Sequence, residues 1–304
     1  MLLPVTATAL LVATLPLAAG CRGSDSPEAA SATTATSRAA QHVAVEARDT
    51  ELLVKGAGSL HAGFVRLEVR NEGRGEHGIE LVQLKRPLTT MQLLDAFAAE
   101  KRAWFDALGG IQQVVPGRPW EMTERLGPGS YALLDFAQNG PKPNYARGLY
   151  KRFEVAPSQS RDVPPVTVGG IEMRDFRFDL RLRNGFSGRG VVEIANRGKT
   201  SHEISLVRIE PGHSQGEVLR LILAGATKPP EWASIVELLS ALDPAKTAYV
   251  RLDLIPGRYV ALCLMNEPGS HTLHAQLGMI GTFDVTRAAP PMPGRRFRSP
   301  SNSR

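Results

Sequence analysis

The sequence predicts an all-β chain built from two tandem β-sandwiches, each interrupted by one short helical insertion. Three observations predict it. The chain repeats itself once, the matching segments alternate apolar and polar residues, and Asn, Gly and Pro punctuate them where tight turns are needed. Such strand-rich units with a single insertion are of sandwich type.

The repeat comes first. Residues 42–155 and 166–286 share landmarks in the same order and at nearly the same spacing. FVRLEVRNEGRGEHGIELV, from Phe64, matches RGVVEIANRGKTSHEISLV, from Arg189, so that Asn71 precedes His77 as Asn196 precedes His202. LGPGSYALL from Leu126 matches LIPGRYVAL from Leu254, and Phe153-Glu154-Val155 matches Phe283-Asp284-Val285. A period of about 125 residues is far longer than a solenoid repeat, so each copy is expected to be a domain.

Within each copy the elements follow in order. Val65, Leu67 and Val69 alternate with Arg66, Glu68 and Arg70, the period of a strand with one wet face, and Val192 and Ile194 repeat the inward pattern. Asn71-Glu72-Gly73 and Asn196-Arg197-Gly198 end that strand. In the first copy Leu94, Phe97, Trp104, Phe105 and Leu108 predict one face of a helix that stops at Gly109-Gly110. In the second, Ser214-x-x-Glu217 is a capping box that opens a helix carrying Val218, Leu221 and Ile222 inward. Pro128-Gly129 and Pro256-Gly257 then turn the chain into strands bearing Tyr131 and Tyr259.

The flanks read differently. Residues 1–20 form an apolar and small-residue run, broken by Pro4 and Pro16 and ending Ala18-Ala19-Gly20-Cys21, which is expected to be a cleaved export signal. Small residues followed at once by cysteine resemble the lipobox of bacterial lipoproteins. That resemblance implies lipidation of Cys21 and a membrane anchor in the cell envelope, facing the periplasm or the outside. Residues 21–41 are a polar tether, 156–165 a linker, and 287–304 a Pro-rich basic tail that is expected to be disordered. Arg287, Arg295, Arg296, Arg298 and Arg304 all lie in that tail, without an acid among them, and account for most of the formal charge of +6. The body is thus nearly neutral, and no nucleic-acid partner is expected.

With Cys21 lipidated, Cys263 is the one remaining thiol in an oxidising compartment. It is either a buried hydrophobe or a metal ligand. The order N-x-G-x-x-x-H, then L-x-P-G-x-Y-x-x-x-C, then H-x-x-x-G-M-x-G-x-F-x-V is carried by Asn196, Gly198, His202, Leu254, Pro256, Gly257, Tyr259, Cys263, His274, Gly278, Met279, Gly281, Phe283 and Val285. It resembles the cupredoxins, Greek-key β-sandwiches that hold blue copper.

The resemblance covers the whole second copy and, in degraded form, the first. It implies a type 1 copper site from His202, Cys263, His274 and Met279, two imidazoles, a thiolate and a long axial thioether. Ten residues separate Cys263 from His274, a long loop for this family, so His271 is a spare candidate. In the first copy Asp135 stands at the place of Cys263, Asn144 or Tyr145 at that of His274, and Leu149 at that of Met279, so no metal is expected there. His77 persists in that copy, as a residue with a structural task such as bonding a loop carbonyl.

Two functions follow. One is a lipid-anchored protein with a single copper, for electron transfer or copper handling, that meets a redox partner protein. The alternative is a metal-free tandem scaffold or binding lipoprotein. Leu262 and Leu264 flank Cys263 where multicopper oxidases have a His-Cys-His, and the chain has only 7 histidines. No phosphate loop, nucleophile elbow, HExxH or CxxC occurs, so a protein that is not an enzyme is expected.

Overall fold

The computed structural model describes residues 39–159, 162–226 and 228–287. The run expected to be an export signal, Cys21, most of the expected tether and all but the first residue of the tail lie outside the described residues. Among the described residues no helix is long and apolar enough to cross a membrane.

The first half contains β1 (Gln41–Ala47), β2 (Leu52–Lys55), β3 (Leu60–His61), β4 (Gly63–Asn71), β5 (Ile79–Leu84), α1 (Thr90–Ala98), β6 (Phe105–Ile111), β7 (Trp120–Leu126), β8 (Gly129–Asp135) and β9 (Tyr150–Ala156). The second contains β10 (Gly169–Arg174), β11 (Arg177–Leu182), β12 (Arg189–Asn196), β13 (His202–Ile209), α2 (Gln215–Leu223), β14 (Ala233–Leu242), β15 (Thr247–Asp253), β16 (Gly257–Leu262) and β17 (Ile280–Val285). The fold is an all-β sandwich with one α-helix in each half.

Two sheets make the sandwich, and both run through the two halves. One has the order β11-β10-β12-β15-β7-β4-β1-β2 and the other β17-β16-β13-β14-β6-β5-β8-β9-β3. Equivalent strands meet at each junction: β15 pairs with β7 through Ala248–Glu124, Tyr249–Thr123 and Val250–Met122, and β14 meets β6 at Leu242–Leu108. Alternation decides what each strand buries. In β4, Val65, Leu67 and Val69 enter the core between the sheets while Arg66, Glu68 and Arg70 do not. That core is continuous from Val43 to Val285.

The landmarks have structural causes. Tyr131 donates its hydroxyl to Gly127 O at 2.9 Å and stacks on Phe153 at 5.6 Å; Tyr259 donates to Ile255 O at 2.7 Å and stacks on Phe283 at 5.4 Å. Each Pro-Gly turn is thereby tied to the strand that closes its half.

Both helices lie on the outer face of the nine-stranded sheet, α1 over Val82, Leu84, Ala132 and Leu134, and α2 over Val207, Ile209, Val260 and Leu262. The Ser214–Glu217 capping box is present, and Thr89 with Gln92 forms another at α1. The helix expected to reach Leu108 ends at Ala98 instead. Glu100 takes φ 48, which breaks the helix, and Phe105–Ile111 becomes a strand because it has partners on both sides, β5 and β14. Phe105 then faces α1 and Leu108 the inner core, so their helix-like spacing comes from a strand with two buried faces.

Candidate metal centre

β12 ends at Asn196, whose carboxamide organises the loop into β13. Its Nδ2 donates to Thr200 O at 2.8 Å and Leu242 O at 2.7 Å, and its Oδ1 accepts from Gly198 N at 2.8 Å. Gly198 is needed there because a Cβ would stand 2.3 Å from Asp175 Oδ1 and 2.7 Å from His202 Nε2. The loop delivers His202, the first residue of β13, into the sandwich end.

Cys263 follows β16, and His274 and Met279 precede β17. Cys263 N donates to Met279 O at 3.2 Å, Met279 N to His274 O at 2.9 Å and Ala275 N to Cys263 O at 2.9 Å, so the backbone fixes all three beside one another. His202 Nδ1 lies 3.1 Å from His274 Nδ1, which lies 3.4 Å from Cys263 Sγ. Among the described residues His202, Cys263 and His274 form the one group of His, Cys, Asp or Glu whose ligand atoms, three or more, lie within 4.8 Å of one another. All three are buried, as is Met279. His271 is exposed and outside the group.

Electrostatics keeps the donors in defined states. Burial, reinforced by the Glu203 carboxylate, pushes the Cys263 thiol up to about 12, so without a metal it is protonated at neutral pH. Burial lowers His202, against the pull of Asp175, and burial together with His202 lowers His274 to about 4. Both rings are therefore neutral and retain a lone pair. Asp175 itself is held low: burial raises it, but the Lys199 amide, the His202 ring and the Thr200 amide outweigh burial.

Each imidazole has a carboxylate behind it. His202 Nε2 donates to Asp175 Oδ1 at 2.9 Å, which leaves Nδ1 to face His274 Nδ1. His274 Nε2 faces Glu267 Oε2 at 3.5 Å, and both of those atoms are buried without a hydrogen-bond partner. Phe176 covers the His274 ring edge at 5.0 Å between centroids. Two neutral imidazoles and a thiol that a metal would deprotonate are a soft donor set, and this buried His–Cys–His cluster fits copper.

The first half replaces these donors with a network centred on Asp135, although His77 Nε2 is left buried without a partner. Asp135 Oδ2 accepts from His77 Nδ1 at 2.5 Å and Asn144 Nδ2 at 3.0 Å, while Oδ1 accepts from Gly78 N at 3.1 Å and Ala137 N at 3.2 Å. Leu149 N donates to Asn144 O at 3.1 Å and Asp135 N to Leu149 O at 3.1 Å, repeating the backbone pattern of the second half. Asn144 thus occupies the place of His274. Tyr145 turns away to pack on Phe97 at 5.2 Å. His77 bonds a carboxylate rather than a loop carbonyl.

Sequence reasoning missed Asp175 and Glu267. A signal existed for the former: Asp49 and Asp175 stand at nearly equal distances before Asn71 and Asn196, and each accepts backbone amides from the loop ahead of the histidine.

No family model and no curated protein matches the chain. Solved structures do resemble it. A sodium-dithionite-reduced auracyanin from the photosynthetic bacterium Roseiflexus castenholzii is 20% identical over 42% of this chain and 100% of its own, with a TM-score of 0.28. A multicopper oxidase is 14% identical over 80% of this chain and 88% of its own, at 0.26. The copper nitrite reductase of Nitrosomonas europaea is 12% identical over 84% and 96%, at 0.24. The likeness is one of fold, to cupredoxin-like β-sandwich proteins. It corrects one expectation: an oxidase and a reductase are among these proteins, so the reading of a protein that is not an enzyme is withdrawn.

Proposed function

We propose that this protein binds one copper ion through His202, Cys263 and His274, with Met279 as the fourth, weaker donor that the cupredoxin resemblance implies, and that it serves electron transfer or copper handling. The observation that carries this reading is the buried cluster in which two neutral imidazole Nδ1 atoms and one thiol converge within bonding reach of a single ion. Copper bound there supplies one-electron exchange. The residues supply the rest: Cys263 gives up its proton to become the thiolate, the two histidines offer lone pairs held in place by backbone and carboxylate contacts, and burial excludes water. The long loop that joins Cys263 to His274 and the β10–β11 turn close over the donors, so electrons exchanged with a redox partner protein would pass near Phe176 and Glu267.

Copper counted in the purified protein after loading and desalting tests the reading. One ion per chain is expected, and none in Cys263→Ser; a folded wild type that retains no copper contradicts it. The export signal and the Ala-Ala-Gly-Cys sequence support a lipid anchor at Cys21 and a place in the cell envelope, with several acyl chains contributing ~0.8 kcal/mol per buried CH2. Cys21→Ala should leave the membrane fraction, and an unchanged distribution would rule the anchor out.

A further inference from the structure

The ten residues between Cys263 and His274 fold back on themselves. Asn266 bridges Leu273, Glu267 N donates to Thr272 O at 2.9 Å, and Ser270 N donates to Glu267 O at 2.9 Å. His274 N then donates to Met265 O at 2.8 Å, which seats this small hairpin against the ligand loop. Its effect is to bring the Glu267 carboxylate to His274, with Oε2 3.5 Å from Nε2. Both atoms are buried and unpartnered.

A count of protons accounts for that mismatch. His202 Nε2 faces a carboxylate and so carries a proton, which leaves Nδ1 of the neutral ring bare. The 3.1 Å contact between the two Nδ1 atoms then needs a proton from His274, whose Nε2 is left as a lone pair facing a carboxylate oxygen. A metal reverses this. When both Nδ1 atoms act as ligands, His274 must carry its proton on Nε2, where Glu267 can accept it.

Resting on the copper reading above, we infer that Glu267 is the positioning residue for His274, paired with it only when metal is bound, and that the loop is long because it delivers this carboxylate. With Asp175 on His202, each imidazole ligand is backed by a carboxylate, which favours the +2 over the +1 state of a bound copper.

The test compares the wild-type protein with Glu267→Ala and Glu267→Gln. In Glu267→Ala the Cu(II) affinity should fall roughly 10–100-fold and the Cu(I) affinity by less, so the reduction potential rises. Glu267→Gln should fall between the two, since its amide oxygen accepts the same proton without the charge. Nitrogen NMR of the His274 ring gives a second readout: the proton should sit on Nδ1 without metal and on Nε2 with Cu(I). Wild type that binds copper while a folded Glu267→Ala matches it in both affinities overturns the inference alone, as does an Nε2 proton already present without metal. Wild type that binds neither copper state overturns the copper reading and this inference with it.

Discussion

At the residue scale, the ligand types were legible because Cys, His and Met are scarce in this chain and fall in a set order. The carboxylates behind them were less so. Asp and Glu number 30; only the match to Asp49 across the repeat marks Asp175, and only the hairpin turn that carries it to the ring nitrogen distinguishes Glu267. Glu80 was equally unreadable. Nothing in the run Ile79–Leu84 marks it, yet it is buried on β5 with Oε1 unpartnered, and burial pushes its carboxyl up to about 8. In the unfolded chain the same group titrates near 4.5. Between those values the unfolded state has lost the proton and the folded state keeps it, so the folded state loses stability as pH rises from about 4.5 to about 8. Glu80→Gln keeps the shape and removes the titration. Denaturant unfolding should show it more stable than wild type at pH ~8, on the order of 1–4 kcal/mol, and nearly equal at pH ~4.5. A difference that does not change with pH would contradict the assignment.

At the scale of elements, signals that act within a few residues were readable. The Ser214–Glu217 cap and the two Pro-Gly turns are local chemistry, and the structure contains each of them. The end of α1 is not local. Gly109-Gly110 looks like a helix stop, but β6 carries these glycines because it is squeezed between two strands. A Cβ on Gly110 would stand 1.9 Å from Ile79 O and 2.8 Å from Ser240 Oγ. Gly110→Ala must therefore push β5 or β14 away from β6. A loss of at least roughly 1–3 kcal/mol is expected, read as a lower thermal midpoint, and an unchanged midpoint would mean that this strand position is not crowded.

At the scale of the whole molecule, the duplication was legible because its landmarks are the residues that close turns and cap the site. The way the halves join was not. The junction depends on which strand edges are left uncovered, and nothing in the local pattern of β6, β7, β14 or β15 marks them as partners. Because both sheets and the central core pass through that junction, residues 41–285 are expected to unfold in one transition rather than two. Calorimetry with two well-separated peaks would contradict a shared core. The central claim, that the second half brings a thiolate and two imidazoles onto one copper ion, is tested most directly by adding Cu(II) to the protein and recording its visible spectrum. An intense thiolate-to-copper band that grows to one equivalent, and is absent from a Cys263→Ser protein treated in the same way, is the predicted result; a folded wild-type protein that stays colourless in excess Cu(II) would contradict it.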